Sequence, residues 1–380
     1  MKRNEKRIII KVGSSSLVKK DGSINKEKIE LIIDTISKII EHGNKAILVT
    51  SGAIAVGVNM LGLKRKPQKI ALKQACAALG QAKLIEEYQK VANGYNLLCS
   101  QILVNHDDFE NRNRMMHLSN TMEELLDNNI IPIVNENDAL AVEEIKVGDN
   151  DTLSALLVPM VGADLLVLAS DIDGLFNKNP NEFEDAYKID IVEHIDQSIE
   201  DMAGGAGSSV GTGGMGTKIK AARIATKANC DCAIINSDKL DLISDLINED
   251  DGLTSIGTIF RKEKNALKSK EHWIIFYSYA KGMIEIDKGA EEAINNSKSL
   301  LPSGIINVSG EFNKNNIVFI VNQNGLKIAK GITNFGSDTL KIIKGKQNSE
   351  IKKMITDCKD EVIHIDNLVF INGEDYGKLK

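Results

Sequence analysis

Through the first 260 residues, short aliphatic runs alternate with stretches whose apolar positions recur every three or four residues. Arg7–Val12 (RIIIKV) reads as a buried strand, followed by the turn-rich Gly13–Ser16. Ile29, Ile32, Ile33, Ile36, Ile39 and Ile40 fall on one face of a helix spanning 25–42. Ala46–Thr50 (AILVT) is a second strand and runs into Ser51–Gly52–Ala53. Further helices are expected over 53–61, 69–92, 112–128, 151–162 and 218–229, with strands at Leu97–Val104, Ile130–Val134, Leu165–Ala169 and Cys232–Asn236. This alternation predicts an α/β fold, a three-layer sandwich with a mainly parallel sheet covered on both faces.

The pattern changes near residue 262. Arg261–Lys270 is charged and reads as a helix or linker. After it come short β-type runs at Trp273–Tyr277, Ile284–Ile286, Ile305–Val308, Ile317–Val321 and Ile328–Lys330, with one helical stretch over 288–297. They predict a small β-rich, barrel-like domain. Two domains follow, 1–262 and 271–380, as a chain of 380 residues suggests by its length.

Composition narrows the class. Only 4% of residues are aromatic, so the cores must be built mainly from Ile, Leu, Val and Ala. Five scattered cysteines form neither a disulfide framework nor a metal-binding CxxC pair. No apolar run reaches the roughly 20 residues of a spanning helix, and the charged N-terminus turns β-like too soon for a signal peptide. A reducing cytoplasm is the expected compartment. The six histidines show no HxxxH or HExxH spacing, and no GxSxG elbow is present, so neither a zinc enzyme nor a serine hydrolase is indicated. The net charge of −6 is uneven. Residues 261–380 carry 19 Lys/Arg against 15 Asp/Glu, an excess of +4, which leaves −10 on the first 260. The basic tail permits nucleic-acid contact without requiring it.

Ligands of open α/β sheets sit beyond the carboxyl ends of the strands, and polar or glycine-rich clusters follow several of the expected strands. Lys11–Val12–Gly13–Ser14–Ser15–Ser16 sets a point charge and close-approaching backbone N–H groups at the first strand end, though a lysine before a plain turn would read the same. Ser51–Gly52–Ala53 opens a helix and could hold an anion or merely cap it. Asn135–Glu136–Asn137–Asp138 could grip an ammonium and a carboxylate, or lie in a solvated loop. Gly148–Asp149–Asn150–Asp151–Thr152 precedes an apolar helix; Asp151 could position a lysine, help hold Mg²⁺, or simply cap the helix. Ser170–Asp171–Ile172–Asp173–Gly174 could meet a nucleotide. The strongest single signal is Gly211–Thr212–Gly213–Gly214–Met215–Gly216–Thr217–Lys218 ahead of a helix; its Gly–Thr–Lys order separates it from a Walker A loop.

KVGSSS, VTSGAIAVG, NENDA, VGDNDTLSA, SDIDGLF and GTGGMGTK, in that order over about residues 7–260, resemble the amino acid kinase family, whose members phosphorylate carboxylates or carbamate from ATP. Within the family the resemblance is to members acting on the γ-carboxylate of L-glutamate at the start of proline biosynthesis. The tail resembles the PUA module, a small β-rich type of RNA-binding domain. The resemblance implies that Lys11 and Lys218 flank the transferring phosphoryl group, with Asp151 orienting them. Ser51, Asp138 and Asn150 would hold glutamate. Lys11, Ser170, Asp171, Thr212, Gly213, Gly214, Met215, Gly216, Thr217 and Lys218 would hold ATP, whose phosphates bring Mg²⁺. It also implies a homo-oligomer, feedback inhibition by proline and RNA contact through the tail. Ser15–Ser16 and Ser170 depart from the family's usual threonine but keep a hydroxyl. N-acetylglutamate kinases and aspartokinases share the fold, yet NEND and GDND fit them less well. A nucleotide-sensing regulatory protein would not need both Lys11 and Lys218.

Overall fold

In the computed structural model, residues 5–140, 149–180, 182–203, 214–249, 251–264, 267–347, 349–351 and 360–371 are described. The chain divides into two units, Met1–Ala266 and Leu267–Lys380.

The first unit begins with β1 (Arg7–Val12), the short α1 (Ser14–Leu17), α2 (Lys26–Glu41), β2 (Lys45–Val49), α3 (Ala53–Met60), α4 (Ile70–Asn93) and β3 (Leu98–Val104). It continues with α5 (His106–Glu110), α6 (Arg112–Asp127), β4 (Ile130–Glu136), α7 (Asn150–Val161), β5 (Leu165–Ser170) and the two-residue strands β6 (Leu175–Phe176), β7 (Lys188–Ile189) and β8 (Ile191–Val192). α8 (Gln197–Met202), α9 (Met215–Lys227), β9 (Asp231–Asn236), α10 (Ile243–Leu246) and β10 (Gly257–Phe260) complete it. One eight-stranded sheet runs β3-β4-β2-β1-β5-β9-β10-β8. Within it only β10 against β9 is antiparallel.

β1 owes its central place to composition. All six of its residues are buried, which suits a strand paired on both edges and covered on both faces. It pairs with β2 and β5 in parallel, so Lys11 lies level with Val49 and Leu168. The isoleucine stripe of α2 packs onto one face, with Ile29, Ile32, Ile33, Ile36 and Ile39 fully buried among Ile8, Ile10, Leu48 and Val167. Parallel pairing brings the carboxyl ends of β2, β1, β5 and β4 to one edge of the sheet, and the polar clusters gather there. Every expected helix and strand of this unit is present. β10 and the small strands β6–β8 were not legible because each is only two to four residues long.

The second unit holds α11 (Ser269–His272), β11 (Gly282–Ile286), α12 (Lys288–Asn295), β12 (Ile305–Gly310), β13 (Ile317–Val321), β14 (Lys327–Ile332), α13 (Ser337–Ile343) and β15 (Leu368–Phe370). Its sheet runs β12-β11-β13-β14-β15, antiparallel except for β11 beside β13. The expected strand at Trp273–Tyr277 is instead a π-helical turn continuing α11. A short, wholly apolar run fits a buried helix as well as a strand. Here Ile274 and Ile275 pack beside Ile317, Val369 and Ile371. Buried Lys330 of β14 donates to the carbonyls of Ile275 (2.9 Å) and Ser278, satisfying oxygens that end the helical turn. No helix among the described residues is long and apolar enough to cross a membrane.

Candidate active site

A cleft of about 600 Å³ opens at the shared carboxyl edge of the first unit's sheet, lined by Lys11, Ser51, Asp138, Asn150, Asp151, Ser170, Asp171 and Lys218 among others. It draws together residues from β1, the β2–α3 turn, the segment after β4, the start of α7, the end of β5 and α9.

At its floor lies a buried charge cluster. Lys11 Nζ stands 2.5 Å from Asp151 Oδ1, and Lys218 Nζ stands 3.2 Å from Asp151 Oδ2. Thr217 Oγ1 donates to the same Oδ2 at 2.7 Å. Lys11, Asp151 and Lys218 are 7%, 0% and 4% exposed. Burial pushes the Asp151 carboxyl up, but Lys11 and Lys218 outweigh it and hold the group below the usual carboxylate range. The trio carries one net positive charge in a poorly solvated place, where a charge acts far more strongly than in water.

Asp151 does not cap α7. That role belongs to Asp149, whose side chain accepts from Thr152 N at 2.7 Å. Burial, and then the neighbouring Asp151 charge, push the Asp149 carboxyl up. Asp151 sits in the first helical turn, pointing inward at the lysines.

A second polar cluster adjoins the first. Asn150 Nδ2 lies 2.7 Å from Thr50 O, 2.7 Å from Ser51 Oγ and 2.9 Å from Asn135 Oδ1. Ser51 is not a helix cap; Gly52 takes that position at φ 94, a left-handed conformation that suits glycine. Asp138 follows β4 and faces the same cleft. Behind them, buried Asn135 donates to Gln81 Oε1 of α4 at 2.9 Å. Sequence reading passed over Gln81, whose signal was a polar side chain in register with buried Ala77, Leu84 and Tyr88 on α4. At the other end, Ser170 Oγ donates to Asp171 Oδ1 at 2.9 Å.

Of the glycine-rich segment, Gly214 precedes α9 and Met215, Gly216 and Thr217 form its first turn; Thr212 and Gly213 lie outside the described residues. No group of three or more His, Cys, Asp or Glu side chains is arranged to hold a metal ion among the described residues.

A family model described as the amino acid kinase family matches residues 6–236, and one described as the PUA domain matches residues 282–355. The chain is 42% identical to a glutamate 5-kinase of Caldanaerobacter subterraneus subsp. tengcongensis, over 98% of this chain and 100% of that one. It is 40% identical to a glutamate 5-kinase of Moorella thermoacetica, over 96% of each chain. It is 44% identical to one of Streptococcus pneumoniae, over 91% of this chain and 93% of that one.

Proposed function

This chain belongs to the amino acid kinase family, and within it to the glutamate 5-kinases, and from that premise we propose how its cleft transfers a phosphoryl group from ATP to the γ-carboxylate of L-glutamate. The single observation that carries the assignment is the buried Lys11–Asp151–Lys218 cluster at the cleft floor, beside the Ser51–Asn150–Asp138 group.

Glutamate's γ-carboxylate is ionised near neutral pH, so it attacks without a general base. One carboxylate oxygen forms the new bond to the γ-phosphorus as the bond to the bridging β,γ-oxygen breaks. ADP leaves with that electron pair, and glutamyl 5-phosphate remains. Such a transfer asks the protein for alignment and positive charge. Lys11 and Lys218 supply the charge at the equatorial oxygens, where preorganised donors act most strongly. Asp151 holds both ammonium groups in place and stays ionised while it does so. Ser51, Asn150 and Asp138 hold the amino acid end of glutamate, Asp138 through its ammonium.

Ser170, Asp171 and the segment Thr212–Lys218 hold the nucleotide. Mg²⁺ carried on ATP's phosphates would supply charge neutralisation there. Asp171 would be the cleft carboxylate to face it, because Asp151 is engaged by the lysines and Asp149 caps α7. The product acyl phosphate starts proline synthesis in the cytoplasm. Proline shares glutamate's α-carboxylate and amine, so it competes at the Ser51–Asn150 end. A homo-oligomer and a PUA-mediated RNA contact complete the proposal.

The test is a hydroxylamine trap run with MgATP and glutamate, N-acetylglutamate or aspartate in parallel. Glutamate yields the hydroxamate, and Lys11→Ala or Lys218→Ala lowers its rate by about 10²–10³-fold, the usual effect of losing a transition-state donor. Turnover confined to N-acetylglutamate or aspartate overturns the substrate.

A further inference from the structure

The cleft's own charges oppose its substrate. Five carboxylates line it, Glu136, Asp138, Asp149, Asp151 and Asp171, against two inner lysines, Lys11 and Lys218. With all ionised, these seven groups sum to −3. The first 260 residues as a whole, these seven included, sum to −10. A dicarboxylate amino acid and a nucleotide are both anions. Three more lysines, Lys19, Lys20 and Lys66, line the same cleft from exposed positions, and they bring its lining to neutrality.

Their placement is built into the fold. Lys19 and Lys20 stand on a tight turn whose sides are joined by the Val18–Ile24 bridge, by Lys19 N donating to Ser23 O (2.8 Å) and by Gly22 N donating to Lys19 O (2.9 Å). Gly22 takes φ 84 there. The turn is pinned to α3, since Asn59 Nδ2 donates to Asp21 O at 2.9 Å and Val18 and Ile24 pack against Ala53, Val56 and Leu84. Val18 approaches so closely that a Cβ on Gly52 would stand 3.0 Å from Val18 Cγ2. The turn therefore lies over the Ser51–Ala53 end of the cleft. Lys66 reaches the same cleft from the segment between α3 and α4. Lys19 makes one exposed ion pair, with Glu27 at 3.5 Å. Lys20 and Lys66 have no ion-pair partner among the described residues.

We propose that Lys19, Lys20 and Lys66 form a cationic collar at the acceptor end of the cleft that recruits the dicarboxylate substrate and lowers its KM. The proposal rests on glutamate being the acceptor. Positive charges at the mouth of a cleft raise the local concentration of an incoming anion and steer its approach. The collar takes no part in the transfer, so it leaves kcat alone. Its charges are exposed, so salt screens them: the Debye length falls from about 30 Å at 0.01 M to about 3 Å at 1 M.

The experiment is steady-state kinetics of the full-length enzyme and of K19Q/K20Q/K66Q, varying glutamate and MgATP in turn, at about 0.02 M and about 0.5 M ionic strength. K64Q/R65Q is the control, because Lys64 and Arg65 are exposed in the same segment but do not line the cleft. The expected result is a rise of about tenfold in the KM for glutamate at low salt, within the range of electrostatic focusing. kcat stays within about twofold, the gap falls below about twofold at high salt, and the control pair behaves as the parent. A KM for glutamate that is unchanged at low salt overturns the collar. So does one raised equally at both salts, a rise confined to the KM for MgATP, or an equal rise in the control. Failure of the parent enzyme to phosphorylate glutamate at all is a different result and overturns the acceptor assignment itself.

Discussion

At the scale of single residues, Asp151 is the position on which the floor of the cleft depends. It meets Lys11 at 2.5 Å and Lys218 at 3.2 Å with no exposed surface of its own. Removing one member of a buried ion pair leaves uncompensated charge and costs about 3–5 kcal/mol. Asp151→Asn should therefore lower the unfolding free energy by about that amount at pH 7. The pH dependence has a definite sign. A carboxyl held below its usual range contributes stability above its unfolded value of about 3.9, lost as pH falls through the lower folded value. The difference between Asp151→Asn and the parent in urea titrations should hence stay constant from pH 8 to pH 5. A difference that grows as pH falls from 8 to 5 would mean the folded carboxyl is raised instead of depressed. Lys11 was marked by ending a buried strand, and Lys218 by opening a helix after glycines. That both meet one carboxylate is a long-range fact, which no local spacing encodes and which the family resemblance supplied. Locally, Asp151 read equally well as the cap of α7, a place that Asp149 takes.

Among the elements, the crossing of α3 and α4 fixes where the acceptor end lies. A Cβ on Gly80 would come within 1.8 Å of Ala53 O, and one on Gly57 within 1.9 Å of Cys76 O. The two helices thus touch backbone to backbone at both glycines, and the contact seats the first turn of α3 directly after Ser51. Gly80→Ala gains about 1 kcal/mol of helix propensity, but it forces the helices apart, and overpacking of this kind costs about 1–3 kcal/mol. The expected outcome is a lower melting temperature together with a raised KM for glutamate, since Ser51 and Ala53 move with α3. A melting temperature at or above the parent's, with KM unchanged, would show that the crossing has slack. No local pattern in the sequence marks these two glycines, because their purpose is the other helix. The Trp273–Tyr277 run failed in a related way. Its apolar character was plain, but the lysine that closes its carbonyls comes from β14, more than fifty residues later.

For the molecule as a whole, the chemistry should be separable from the second unit. Every cleft-lining residue lies at or before Lys218. The first unit has its own core, built from the α2 isoleucines against β1, β2 and β5, and the second has another around Ile284, Ile320 and Leu340. Just after β10 the chain is tied into the first unit. Arg261 N donates to Val192 O at 2.9 Å, Lys262 N to Asp231 Oδ1 at 2.8 Å and Glu263 N to Thr226 O at 3.1 Å. A cut after residue 264 keeps all three. Residues 1–264 should then fold alone, because a unit with its own complete core does not need a neighbour to be stable. Their kcat for glutamate should stay within about threefold of the full chain's, since a domain interface biases conformations without supplying reacting groups. The response to proline is free to change on the same argument. The measurements are a thermal melt and the hydroxamate assay on the truncated chain beside the full-length one. A single cooperative melt with retained turnover establishes independence. An insoluble or inactive fragment would instead mean that the second unit covers an apolar surface of the first, a surface that becomes adhesive once bared.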